Sequence, residues 1–138
     1  MLDEAGLSQE VYADSAGTHG SHVGEKPDAR VQAAAIKRGY DLSQVTARQI
    51  TVKDFHDYDM ILVMDWENMT ALRQICPRKY HHKLMLLMRF SNEYEEATVP
   101  NAAHGGPETI SRVLDYVEDA CQGVLDILRK RITHYQAA

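Results

Sequence analysis

The two thiols of this 138-residue chain, Cys76 and Cys121, are its candidate nucleophiles, because a thiolate attacks where a neutral hydroxyl does not. Cys121 recurs with Val117, Val124 and Leu125 on a helical apolar stripe. That placement reads as a small buried hydrophobe, since burial raises a thiol's pKa and blocks access. Cys76 stands before Pro77-Arg78-Lys79, whose charges favour a thiolate, but at the C-terminal end of a helix, which disfavours one. Metal binding is the competing chemistry: His19 and His22 stand three apart, and Cys76 lies near His81 and His82. A zinc site takes about four ligands at regular spacings. Adjacent histidines point apart in extended chain, and His19-Gly20-Ser21-His22 is loop-like, so solvated histidines and no bound metal or cofactor are expected. The cluster Arg78, Lys79, Lys83 with Tyr80 is the one group suited to an anion or nucleic acid. With a net charge of −5, a solvated connection is the better reading and no nucleic-acid partner is expected.

The elements that must position such groups are those of one soluble domain. At 138 residues the chain can build a single core, and 44% hydrophobic with 25% charged residues argues against disorder. No apolar run approaches the roughly 20 residues of a membrane helix, and Met1 to Gly6 lacks the basic and apolar regions of a signal peptide. Two cysteines make no disulfide framework, so a reducing cytoplasm is expected.

Residues Ile110, Val113, Leu114, Val117, Cys121, Val124, Leu125, Leu128 and Ile132 share one face of a long helix opened by Pro107. Met60 to Met64 and Leu84 to Met88 read as strands buried on both faces, separated by a helix from Trp66 to Cys76 that Asp65 caps and Pro77 stops. A third strand is expected at 9–14, before the small-residue loop Ser15 to Thr18, and a further helix from Pro27-Asp28 to a left-handed cap at Gly39. Alternating strands and helices predict an α/β fold with a parallel sheet. Leu2 to Leu7 reads as the last turn of a helix closed by Gly6, and a helix feeding a parallel strand is normally preceded by another strand. The expectation is that residues 1–138 are a single domain lacking its N-terminal start.

Seven segments in order carry a resemblance: Asp14 to Thr18, His22 to Arg30, Gly39 to Ser43, Ala47 to Gln49, Asp54-Phe55 with Tyr58 to Ile61, Met64-Asp65 with Asn68, and Val113 to Cys121. Together they resemble the low-molecular-weight protein tyrosine phosphatases. The resemblance implies a three-layer α/β fold with a four-stranded parallel sheet in the order 2-1-3-4, and hydrolysis of phosphotyrosine monoesters. The family's first strand leads into a C-x5-R-[ST] loop. There backbone N–H groups and an arginine hold the phosphate while the cysteine attacks, and a nest of N–H groups also lowers a thiol's pKa. An aspartic acid on a late loop, usually followed by Pro-Tyr-Tyr, protonates the leaving group.

This sequence departs from that pattern at its chemical positions. Six residues after Cys76 stands His82 and six after Cys121 stands Ile127, so no C-x5-R is present. The acid position is Asn101, whose amide cannot deliver a proton, and losing such an acid costs about 10² to 10⁴ in rate. The resemblance places Ala103 and His104 at the two tyrosines, Ser21 at an aromatic pocket wall, Gln44 at a loop-supporting histidine, and Ser15 at a residue that supports the phosphate loop. The expectation is a phosphatase-like protein without catalysis, with the first strand and phosphate loop missing, acting through association. The alternative is a genuine tyrosine phosphatase seen as an N-terminally truncated chain. Uncovered strand edges predict a homo-oligomer formed by swapping in the N-terminal region. Arg48 and Asp65 are expected to serve the fold.

Overall fold

The computed structural model describes residues 1–2, 4–102 and 105–137, with side chains described through residue 132. Its order is α1 (Ala29–Lys37), α2 (Val52–Asp57), β1 (Ile61–Val63), α3 (Trp66–Ile75), β2 (Leu84–Leu86) and α4 (Pro107–Ala137), with 3-10 turns at Arg78–Lys83 and Leu87–Phe90. The strands are parallel, with Ile61 beside Leu84 and Val63 beside Leu86, and α3 is their crossover.

Side-chain alternation divides the core into two layers. Ile61 and Val63 face a cluster built by Phe55 of α2, Met69, Leu72 and Cys76 of α3, and Leu84 and Leu86 of β2. Leu62 points the other way, into Leu87, Met88, Val99 and the α4 residues Tyr116, Ala120 and Val124. Helices therefore cover both faces, which gives the three-layer parallel α/β architecture expected from the sequence.

Caps set the helix ends where the sequence places them. Asp28 accepts from the Arg30 amide at 2.7 Å, and Asp65 accepts from the Asn68 amide at 2.8 Å. Gly39 closes α1 at φ +89°, with the Tyr40 amide returning to the Ala35 carbonyl at 3.0 Å. Gly6, at φ +73°, likewise closes a helical turn in which the Leu7 amide donates to the Leu2 carbonyl at 3.0 Å. Helix α2 carries no periodic pattern and is fixed instead by the reciprocal Thr51–Asp54 capping box.

Two strand expectations need correction. The segment 9–14 is not a strand: its start is a turn, with the Val11 amide donating to the Leu7 carbonyl at 2.9 Å, and residues 11–16 join no ladder. The only pairing described here is a parallel bridge between Gly17 and Gln49. The second strand ends at Leu86, because Leu87 and Met88 turn out of the ladder to bury under α4, where they are 1% and 4% exposed. Gly123 lets α4 approach this turn closely: a Cβ there would lie 1.8 Å from the Phe90 carbonyl oxygen.

Candidate functional site

The loops that should carry chemistry gather at the C-terminal end of β1. Thr18 donates through Oγ1 to Asn68 Oδ1 at 2.8 Å, and Asn68 donates through Nδ2 to Asp65 Oδ1 at 2.9 Å. The small-residue loop is thus tied to the first turn of α3. Its backbone is held as well, by Gly17 N–H to the Arg48 carbonyl at 2.8 Å and Ile50 N–H to the Gly17 carbonyl at 2.9 Å. Gln49 Nε2 reaches the Thr18 carbonyl at 3.3 Å, and the side chain of Gln49 fills the space where a Cβ on Gly20 would stand. The late loop joins the same end, since the Val99 amide donates to the Met64 carbonyl at 2.9 Å, two residues before Asn101.

Arg48 is the electrostatic centre of this region. Its guanidinium grips both oxygens of Asp54 at 2.9 and 3.2 Å and reaches Asp14 at 3.1 Å. The Arg48 hydrogen bond holds the Asp54 carboxyl below the usual carboxylate range, aided by the Thr51 amide, and holds the Arg48 guanidinium firmly charged. These contacts fix the loop to α2, the fold-serving role expected of Arg48. Asp65 serves the fold too, as the cap of α3.

The remaining sequence-selected residues lie on the surface or outside the described residues. Ser15, Ser21, Gln44 and Asn101 are all exposed, and the described hydrogen bonds join none of Ser15, Ser21 and Gln44 to one another. Ser15 donates its amide to Asp14 at 2.8 Å, and Gln44 lies in a turn after Ser43, whose amide donates to Asp41 at 2.9 Å. Ala103 and His104 lie outside the described residues. Neither thiol faces these loops. Cys76 is buried in the α3 layer with Sγ 3.4 Å from the Pro77 carbonyl, and Cys121 belongs to the α4 layer. Burial pushes both thiols up, away from the thiolate. Among the described residues no three His, Cys, Asp or Glu side chains come together as a metal site.

A different concavity had no counterpart in the sequence reading. A cleft of about 570 Å³ opens between the N-terminal turns and α4, lined by Glu4, Ala5, Arg38, Tyr40, Asp115 and Glu118 among others. Arg38 crosses it to Glu118 at 2.7 Å and to Asp115 at 2.9 Å. Burial and the Glu118 carboxylate together raise the Tyr40 phenol. Arg38 and Glu118 stand 80 residues apart, so no local spacing announces the pair.

Three comparisons bear on this geometry. The family described as "Low molecular weight phosphotyrosine protein phosphatase" matches residues 1–134. Synechocystis sp. slr0328, named for the same family, is 37% identical over 135 residues, covering 97% of this chain and 85% of its own length. The low molecular weight protein-tyrosine-phosphatase of Streptomyces coelicolor is 33% identical over 137 residues, covering 95% and 81%. Among solved structures, the Entamoeba histolytica protein tyrosine phosphatase with Hepes in the active site superposes with a TM-score of 0.89 at 30% identity, covering 94% of this chain and 82% of that one.

Proposed function

The chain belongs to the low molecular weight phosphotyrosine protein phosphatase family, and from that membership we propose that these 138 residues form a non-catalytic, phosphatase-derived cytoplasmic protein that acts by association. One observation carries the proposal: both thiols are turned into apolar layers and held protonated by burial, and neither is followed by arginine at the sixth position. Phosphoryl transfer to cysteine needs a thiolate inside a cradle of N–H groups, with an acid to protonate the leaving oxygen. Asn101 supplies an amide at the acid position implied by the family pattern. No helix among the described residues is long and apolar enough to cross a membrane.

Purified chain incubated with an aryl phosphate, from mildly acidic to neutral pH, should release no more phenol than a buffer blank. Turnover that survives repurification and disappears in Cys76→Ser or Cys121→Ser would overturn the proposal. It would favour the second reading, phosphotyrosine hydrolysis by the family chemistry, which draws on the match over residues 1–134.

Association takes the form of a homo-oligomer in this proposal. The N-terminal turns are separated from α4 by the open cleft, so an N-terminal region of another copy can dock there in their place. Light scattering at micromolar concentration should report at least twice the 15.6 kDa chain mass, whereas a monomer would remove self-association.

A further inference from the structure

Charge is segregated along this chain. Residues 73–83 hold Arg73, Arg78, Lys79 and Lys83 and no acid, whereas residues 92–126 hold eight acids and one arginine. The basic stretch ends in the turn that enters β2, where its cations are arranged around one ring. The Lys79 and Lys83 ammoniums stand 5.1 and 4.3 Å from the centroid of Tyr80, which also packs edge-to-face with His56. Lys83 is anchored further, donating to the Phe55 and His56 carbonyls at 2.8 and 3.1 Å. Arg73, Arg78 and Lys79 are exposed, and none of the described ion pairs involves residues 73–83. Asp57, the last residue of α2, is taken by Lys53 at 3.8 Å and by His56 at 3.0 Å.

The acidic counterpart follows β2. Glu93, Glu95 and Glu96 are exposed on a loop that α4 holds in place. Asp119 accepts from the Asn92 and Glu93 amides at 3.0 Å each, and Tyr94 lies against Tyr116 with ring centroids 4.6 Å apart. None of these glutamates joins a described ion pair. Arg38, which lines the cleft with Glu93, is already taken by Asp115 and Glu118. Tyr80 packs on the layer of Phe55, Met69 and Leu72, and Tyr94 on the layer of Leu87, Tyr116 and Ala120. The sheet therefore keeps the two patches apart within one chain, whereas two chains can bring them together.

We infer that the basic turn Arg78–Lys83 of one copy docks against the acidic loop 93–96 of a second copy, head to tail. This rests on the reading of the protein as one that acts by association, and gives it a contact outside the N-terminal region. Charge complementarity selects the occupant: the turn calls for carboxylates clustered on a firm base, and the chain itself carries such a cluster. With a net charge of −5, two copies repel in most orientations, so the alignment that joins opposite patches is the favoured one. Each contact leaves one turn and one loop unused, so copies add in an open row rather than closing as a symmetric pair.

The test is light scattering of the full chain at neutral pH in about 10 mM and about 1 M salt, between which the screening length falls from roughly 30 Å to roughly 3 Å. As protein concentration rises, the average mass at low salt should climb past twice the 15.6 kDa chain mass, and high salt should reverse the climb. Two double variants reverse one patch each: Arg78→Glu with Lys79→Glu, and Glu93→Lys with Glu95→Lys. Both stay net negative, and each alone should lose the salt-sensitive climb. An equal mixture of the two should regain it, because every reversed patch then meets an opposite one, and so should one chain carrying all four changes. If the mixture stays unassociated, the contact is wrong. If only the Arg78 and Lys79 variant loses the climb, the turn docks elsewhere and the loop is the wrong occupant. A dimer whose mass ignores salt overturns this contact and leaves association through the N-terminal region standing, whereas a monomer at both salts removes both.

Discussion

The two edges of β1 are held by different physics. Toward β2 the strand sits in a ladder covered on both faces, and the residues around it are nearly dry: Phe55 is fully buried, Leu87 is 1% exposed and Ala120 fully buried. Toward residues 11–18 the contacts are polar and solvent-washed. A shared guanidinium, two hydroxyls and an amide side chain join pieces that bury little apolar area. Burial of large apolar side chains stabilises by several kcal/mol per residue, while exposed ion pairs contribute less than about 1 kcal/mol. The rigid half and the half that presents the loops should therefore respond to substitution on different scales.

The largest effect should follow Phe55→Ala, which empties the centre of the α2–α3 layer. Such a truncation costs about 3–5 kcal/mol, read as a large fall in the urea midpoint at unchanged slope; a shift under about 1 kcal/mol would mean that layer is not close-packed. Next comes Gly123→Ala, whose methyl group would meet the Phe90 carbonyl at 1.8 Å. The turn at Leu87–Phe90 must move away from α4, so a loss of about 2–3 kcal/mol is expected. A neutral result would show that α4 can slide.

On the polar side, Arg48→Met should cost about 1 kcal/mol, since the guanidinium is one-third exposed while Asp54 is the better covered partner. The same pair sets an acid dependence. The folded-state carboxyl of Asp54 lies below its unfolded value, so its contribution is complete above about pH 4 and is lost as pH falls through the lower, folded value. Arg48→Met should flatten that part of the stability curve, which urea titrations at several acid pH values would show. The smallest effects belong to Ser15→Ala and Gln44→Ala, both exposed and each expected within about 0.5 kcal/mol of the parent. A larger loss at either would show that the loop face is more tightly built than its contacts indicate.

This contrast also explains what could be read in advance. The α4 stripe, the caps at Asp28 and Asp65 and the glycine ends of two turns follow from local rules of spacing and backbone freedom, so the sequence shows them directly. The apolar runs showed β1 and β2 but overstated their lengths, because apolar continuity is the same for a strand and for a turn buried under a helix, as at Leu87 and Met88. The segment 9–14 had the composition of a strand, but a strand also needs a neighbour to ladder with, and composition does not supply one. The site was less legible. The links from Thr18 to Asn68, Arg48 to Asp14 and Arg38 to Glu118 join residues 50, 34 and 80 positions apart. Ser15, Ser21 and Gln44 were selected by family position, which marks where a residue stands and not what it touches.

The crossover from β1 through α3 to β2 has a consequence in time. Its two strands begin only 23 residues apart, Ile61 beside Leu84, and Asp65 starts the intervening helix at the strand's end. Closing a short loop costs less entropy than closing a long one, and local contacts form sooner. During folding this unit should assemble first, while residues 11–18 are still searching, for their ties reach across 34 to 50 residues. Residues 11–18 then settle onto a β1–α3–β2 unit that has already formed.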